Sequence, residues 1–273
     1  MVKRQIIFAS LKGGVGKSFC TRTFVDLARR SGRTVSAWDL DGGTGSLARR
    51  YADRRPEVGV ATENVRDDRA PGGWIDALFG AADDVVLDVP GGALGDLLRV
   101  LDGGAASLVA QAREADRELV LVSVIGTDPD ATETPQEAIE RFGPDVHHVV
   151  LKNGLFGERE DFVVYDGYTD EVTGVSEYEG VTGQMVRDAG GEVVYLPRLN
   201  GRTSALLALK NLTFVEGAEA VSTLGRRHAF NTRAWLGLAV AEFAGTWIAT
   251  DGATPTPKLS LSKRPKAAQV SAC

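Results

Sequence analysis

Two lysines and a serine stand close together near the start of the chain, in the stretch SLKGGVGKSF at residues 10–19. Lys17 and Ser18 occupy the places that the phosphate-loop pattern G-x-x-x-x-G-K-[ST] requires, but Leu11 stands where that pattern has its first glycine. Glycines let the backbone point its N–H groups at a phosphate chain, a lysine supplies positive charge, and a hydroxyl suits Mg²⁺. The stretch therefore predicts a phosphate site with one additional lysine, Lys12. The alternative is a glycine turn with incidental lysines.

Carboxylates follow two apolar stretches farther along the chain. TVSAWDLD ends with Asp39 and Asp41, and DDVVLDVPGG carries Asp88 just before a Pro-Gly-Gly turn. Two carboxylates at i and i+2 share one face of a strand, so both can approach a cation and water beyond the strand end. Turn-forming carboxylates are the alternative for Asp39 and Asp41.

Six apolar segments alternate with helical patterns, and these elements must position the polar side chains. The predicted strands are residues 5–10, 34–41, 83–92, 118–126, 146–153 and 192–197. Continuous apolar strands that alternate with helices predict a doubly wound α/β domain, in which a mainly parallel sheet has helices on both faces. Ligands of such sheets bind at the carboxyl ends of the strands, where we expect the polar residues to meet.

Composition narrows the function class. The chain has 273 residues, 43% of them hydrophobic, and a net charge of −6, which argues against a protein that coats nucleic acid. A local basic patch remains open. Its two cysteines, Cys20 and Cys273, and its three histidines show no spacing typical of a disulfide framework or a zinc or iron site. We find no signal peptide or membrane span in the sequence, so we expect a cytoplasmic protein.

The motif KGGVGKS resembles the deviant Walker A loop of the ParA/MinD family of P-loop ATPases. That resemblance implies ATP and Mg²⁺ as cofactors, and an ATP-dependent homodimer in which Lys12 reaches the partner's phosphates. It implies that Asp41 orients the attacking water and that Asp88 holds Mg²⁺ through a water. The family continues with Pro-Gln after the second aspartate, whereas this chain has Gly42-Gly43, so its switch is expected to move differently.

The resemblance also assigns the remaining contacts. Asn153 stands where the family often has an asparagine that binds adenine, and Pro197 stands in the segment YLPRL, which packs against the base; ordinary turn chemistry is the alternative for both. The expected nucleotide contacts are Lys12, Gly13, Gly14, Val15, Gly16, Lys17, Ser18, Phe19, Asn153 and Pro197. Expected catalytic residues are Lys12, Lys17 and Asp41, and expected metal ligands are Ser18, Asp41 and Asp88.

The role implied by the resemblance is a slow, dimeric switch ATPase in plasmid or replicon partition, stability or conjugation, with StbB- or TraL-like members as the nearer kin. Its expected protein partner is a DNA-binding adaptor or a relaxase. One rival is a metabolic synthase of the dethiobiotin type, which usually lacks the equivalent of Lys12. Another is a nucleotide-binding regulator that hardly hydrolyses.

Two stretches depart from the alternating pattern. Residues 157–184 hold eight acids and one base, which predicts a solvated excursion within the 1–250 domain, with a lid or a partner-docking element as the alternative. Residues 251–273 are rich in Pro, Ser, Thr and Ala, which predicts a disordered tail.

Overall fold

A parallel β-sheet forms the centre of the molecule. The computed structural model describes residues 2–42, 45–51, 59–67 and 69–250. The strands are β1 (Arg4–Ala9), β2 (Val35–Asp39), β3 (Ala61–Thr62), β4 (Asp84–Asp88), β5 (Glu118–Ile125), β6 (His147–Asn153), β7 (Tyr168–Thr169), β8 (Ser176–Tyr178) and β9 (Glu192–Leu196). Seven of them form one sheet in the order β3-β2-β4-β1-β5-β6-β9, and every pair of neighbours in it is parallel.

Helices cover both faces of this sheet. They are α1 (Lys17–Arg30), α2 (Ser46–Tyr51), α3 (Gly73–Leu78), α4 (Leu94–Arg99), α5 (Gly104–Glu114), α6 (Glu133–Phe142), α7 (Val163–Asp166), α8 (Val181–Asp188), α9 (Gly201–Leu209), α10 (Phe214–Glu219), α11 (Val221–Leu224) and α12 (Arg226–Phe243). Alternate residues of β1 point to opposite faces: Ile6 belongs to the same core cluster as Phe24 of α1, and Ile7 to the same cluster as Trp74 of α3. The predicted doubly wound α/β fold is confirmed.

The six predicted strands are present: β1 has the predicted length but begins one residue earlier, and the other five are one to five residues shorter than predicted. Some predicted strands were too long at their carboxyl ends because they included turn residues: Pro90 and Pro197 both lie beyond the strands that they follow. The sequence did not predict β3, which has only two residues and pairs with the end of β2. None of the helices in the described ranges is long and apolar enough to cross a membrane.

The acidic stretch at residues 157–184 contains a small antiparallel hairpin. Strands β7 and β8 pair with Tyr168 opposite Tyr178, and the hairpin is exposed to solvent. At its tip, Asp170 accepts hydrogen bonds from the backbone N–H groups of Val172 and Thr173. The stretch also contributes Phe162 and Tyr165 of its first half to a small separate core. The predicted tail, residues 251–273, lies outside the described residues.

A buried charge cluster lies at the amino-terminal ends of β1 and β4. Asp84 is fully buried and accepts hydrogen bonds from the guanidinium groups of Arg4 and Arg33 at 2.6–2.9 Å. Arg4 also donates to the carbonyl oxygens of Trp247 and Ala249, which follow α12. Because a buried carboxylate is tolerated only when it is paired, this cluster fixes the segment after α12 to the first strand.

Candidate nucleotide site

The predicted phosphate loop lies between β1 and α1, at the carboxyl end of the central strand. Gly14 and Gly16 have φ angles of 88° and 77°, which side-chain-bearing residues rarely adopt. Gly16 precedes α1, and its carbonyl accepts from the N–H groups of Phe19 and Cys20. Helix α1 therefore starts at Lys17 and directs the positive end of its dipole toward the loop. This arrangement is typical of a phosphate-binding helix terminus.

Lys17 lies at the floor of the site in contact with Asp88. Its Nζ is 2.5 Å from Asp88 Oδ1, and the two side chains are 9% and 2% exposed. Asp88 Oδ1 also accepts a hydrogen bond from the Thr21 hydroxyl at 3.1 Å. Removing one partner of such a buried ion pair leaves the other charge uncompensated, which is strongly destabilising.

Asp39 ends β2 directly beside Asp88, its register partner on β4. The side chain is buried, and burial raises the pKa of the Asp39 carboxyl above its usual range, with a further contribution from the negative charge of Asp88. Asp41 lies two residues beyond the strand, half-buried, and its backbone bridges to Asn64. The two aspartates that the sequence placed at the end of this strand therefore sit in different environments.

Lys12 extends to the rim of the site. It forms an ion pair with Asp130, and about half of each side chain is exposed: 53% for Lys12 and 49% for Asp130. The adjacent Leu11 N–H donates to the Thr134 hydroxyl at 2.9 Å. The segment after β5 thus holds the first half of the loop from outside, and neither Asp130 nor Thr134 was recognised from the sequence. The sequence signal for both residues was their position after the predicted strand β5, because the segments that follow parallel strands lie at the ligand-binding end of the sheet.

The turn after β4 packs closely on the loop. A Cβ atom on Gly91 would lie 2.8 Å from Gly13 N, a separation that real Cβ atoms do not show. Gly92 N donates to Ser10 O at 2.8 Å. The Pro-Gly-Gly sequence is therefore required because the backbone of this turn contacts the backbone of the phosphate loop. Movement of either segment must displace the other.

These elements enclose a cleft of about 420 Å³. Its lining residues are Ser10, Lys12, Gly13, Gly14, Gly16, Lys17, Ser18, Phe19, Asp39, Asp41, Gly45, Ser46, Arg49, Asp88, Pro90 and Gly91. The structure thus brings together most of the predicted nucleotide contacts and all three predicted metal ligands. Arg49, on α2, is a cationic lining residue that the sequence analysis did not identify.

Three predicted contacts lie outside this lining. Val15 is buried beneath the loop, and its carbonyl accepts from Asn153 Nδ2 at 2.9 Å. Asn153 Oδ1 accepts from Leu155 N at 3.1 Å, so both ends of this amide are engaged. The carbonyl of Pro197 accepts from the Trp235 indole N–H at 2.7 Å. The expected base contacts of Asn153 and Pro197 remain predictions.

The donor set of the cleft suits Mg²⁺. Ser18, Asp41 and Asp88 offer a hydroxyl and two carboxylates, which are the hard oxygen ligands that Mg²⁺ prefers. Within the described part of the chain no group of three or more His, Cys, Asp or Glu side chains could hold a metal ion without other ligands. A cation here would therefore need phosphate oxygens and waters to complete its octahedron, as is usual for Mg²⁺.

A larger cavity of about 670 Å³ lies at the opposite edge of the sheet. Some of its lining side chains contact one another: Arg113 forms an ion pair with Asp145, and His147 lies 2.9 Å from Glu118. The phosphate-loop cleft remains the candidate site, since its loop N–H groups and lysines lie at the edge where parallel sheets bind ligands.

Sequence and structure comparisons found several proteins that are similar to this chain. No family model matches the chain. Protein MobD of Acidithiobacillus ferrooxidans is 29% identical over 224 residues, which cover 80% of this chain and 92% of that protein. The septum site-determining protein MinD of Pyrococcus horikoshii, solved with Mg-ADP, is 15% identical with a TM-score of 0.48, covering 88% of this chain and 95% of the other. A ParA family ATPase from Chlorobium tepidum is 14% identical with a TM-score of 0.45, covering 85% and 99%.

The chain is similar to MinD and ParA ATPases. The narrower resemblance to StbB- or TraL-like members remains a prediction.

Proposed function

We propose that this protein is a Mg²⁺-dependent ATPase of the MinD/ParA type that uses ATP-dependent dimerisation as a switch. The observation that carries the proposal is the cleft itself, in which a glycine loop, the start of α1 and Lys17 face two strand-end aspartates. The reaction converts ATP and water to ADP and phosphate. The biological role that we propose is partition, stability or conjugative transfer of a plasmid or other replicon, in the cytoplasm and with a protein partner.

The residues that line the cleft have different roles in this proposal because they lie at different positions around it. Lys17 and the loop N–H groups stabilise negative charge on the phosphates, because they are fixed before the substrate arrives. Asp41 orients the attacking water from the wall of the cleft. When bound, Mg²⁺ supplies charge neutralisation on the β- and γ-phosphates, held by Ser18, Asp41 and Asp88.

Lys12 has a separate place in this proposal. About half of its side chain is exposed at the rim, and its contact is Asp130 rather than Asp88. An exposed ion pair contributes at most about 1 kcal/mol, so Lys12 can leave Asp130 at little cost. That freedom suits a group that reaches the phosphates of a second subunit.

The direct test is binding of a fluorescent ATP analogue to Lys17→Ala. We expect affinity to fall at least tenfold, an order-of-magnitude expectation for loss of a charged hydrogen bond. Because this variant leaves Asp88 buried without its partner, Lys17→Ala/Asp88→Asn should show the same loss with better stability. Lys210→Ala, which removes an exposed lysine outside the cleft, is the charge-matched control. Unchanged affinity of both Lys17 variants would contradict the proposal.

A further inference from the structure

Asp39 has a buried carboxylate that the proposed chemistry does not use. It is 1% exposed and ends β2 inside the cleft. Both of its oxygens accept hydrogen bonds from backbone N–H groups: Oδ1 from Asp41 at 3.2 Å and Oδ2 from Ala48 at 2.9 Å. Its hydrogen-bond partners are therefore parts of the chain that follows it.

These two bonds join two pieces of structure that face the cleft. Asp41 lies on one side of the carboxylate, and on the other side Ala48 belongs to the first turn of α2, where backbone N–H groups have no partner within the helix. Ala48 is followed by Arg49, whose side chain lines the cleft. One carboxylate thus sets the position of an acidic and a basic side chain at the site.

Gly45 shows how closely this carboxylate is held. A Cβ atom on Gly45 would overlap the Asp39 carboxylate group. The glycine is therefore required by space, since a side chain here would push on that carboxylate. The carboxylate therefore lies between Gly45 and the two N–H groups with little room to shift.

We infer that Asp39 is a positioning residue that holds Asp41 and Arg49 on the wall of the cleft, and that it acts through backbone N–H groups. The inference rests on the proposed ATPase function for its kinetic consequence. Its structural part, the attachment of Asp41 and α2 to the end of β2, is independent of that function.

The test compares Asp39→Asn with Glu63→Gln. Glu63 is a matched control, since its buried carboxylate also accepts two backbone bonds, from Gly72 N and Gly73 N at 2.9 Å each, and it does not line the cleft. Both substitutions replace one acceptor oxygen with an NH₂ group, which cannot accept. Hydrogen–deuterium exchange without nucleotide should be at least about tenfold faster in Asp39→Asn at peptides covering residues 40–50. Glu63→Gln should show this change only around residues 72–73, and unchanged exchange at residues 40–50 in Asp39→Asn would overturn the inference.

Steady-state kinetics test the consequence for catalysis. Asp39→Asn should lower kcat by about tenfold or more while KM for ATP changes less than about threefold, since the loop and Lys17 are untouched. Gly45→Ala should reproduce this split by pushing on the same carboxylate from the other side, whereas Glu63→Gln should keep both constants. Unchanged kcat in Asp39→Asn would overturn the inference. Recovery of its kcat at high Mg²⁺ would also overturn it, because that result would identify Asp39 as a metal ligand. A wild type without ATP turnover refutes the proposed function, and the exchange result then decides by itself whether Asp39 holds the two segments.

Discussion

Lys17 and Asp88 form a pair that phosphate must compete with. In the structure Asp88 receives both the ammonium of Lys17 and the hydroxyl of Thr21. Under the proposed function, a bound phosphate would offer Lys17 a second acceptor, so that Asp88 could face Mg²⁺ and its waters. We propose that this exchange of partners at Lys17 couples phosphate binding to the end of β4 and to the glycine turn that follows it.

Asn153 is the residue at which base recognition can be tested. One Nδ2 hydrogen is donated to Val15 O, and our prediction is that the second is donated to an adenine nitrogen. We expect wild type to bind ATP more tightly than GTP, and Asn153→Ala to reduce that ratio about fivefold, the value of one hydrogen bond near 1 kcal/mol. Competition against a fluorescent ATP analogue measures both affinities. An equal loss for ATP and GTP would mean that Asn153 supports the loop but does not read the base.

The elements around the site explain which parts could be predicted from the sequence. Lys12, Lys17, Ser18 and Asp88 were found because a glycine loop and an apolar strand with a terminal aspartate are local patterns. Asp130 and Thr134 were missed because they contact the loop from more than a hundred residues away. Such contacts depend on the strand order, in which β5 lies beside β1, and no local pattern encodes it.

His148 connects two elements in a way that depends on pH. It lies on β6, and its Nε2–H donates to the carbonyl of Gly143 at the end of α6 at 2.7 Å. Burial lowers the pKa of His148 below its ordinary value, and the neighbouring His147 adds to this. The unfolded chain therefore takes up the proton at higher pH than the folded one does. The stability contributed by neutral His148 is present above the unfolded pKa of 6.5 and is lost as pH falls from there through the folded pKa.

We accordingly expect wild type to lose stability faster than His148→Gln as pH falls from 7.5 to 5.5. Gln can still donate to Gly143 but does not titrate, so the difference in pH dependence between the two proteins reports the protonation of His148. It should not exceed about 1.4 kcal/mol per pH unit, the limit for one proton. Urea unfolding at several pH values measures it, and parallel curves for the two proteins would show that His148 is not responsible.

The β7–β8 hairpin should be dispensable for nucleotide chemistry. Residues 168–179 are exposed or half-exposed, and the glycines that flank them, Gly167 and Gly180, pack backbone against backbone. Joining Gly167 directly to Gly180 should shift Tm by less than about 4 °C, since little buried surface is lost. Nucleotide affinity and ATP turnover should match wild type. Loss of turnover with intact binding would instead identify the hairpin as a lid.

For the whole molecule, strand order explains the site better than any single motif. β1 lies between β4 and β5, so the loop after β1 meets the Asp88 turn on one side and the Asp130 segment on the other. The fold class followed from alternating apolar strands and helices, which is a property of the entire sequence. The hairpin and β3 could not be predicted in this way, because strands of two or three residues are too short to show a hydrophobic pattern.

The two lysines of the loop make the central claim testable in one measurement. Light scattering with and without ATP should show wild type increasing in mass toward a dimer. Lys12→Ala should bind ATP through Lys17 yet stay monomeric, because its charge is needed across the interface. Asp41→Ala should lose turnover and accumulate a long-lived ATP-bound dimer, because it acts on water after the dimer forms.

Lys210→Ala is the control for removing a lysine, and it should behave as wild type in the same measurement. We predict opposite failures: a monomer for Lys12→Ala and a persistent dimer for Asp41→Ala. A wild type whose mass never changes with ATP, together with a Lys12→Ala variant that hydrolyses ATP normally, would contradict this prediction. The loop would then serve a metabolic enzyme that works as a single subunit.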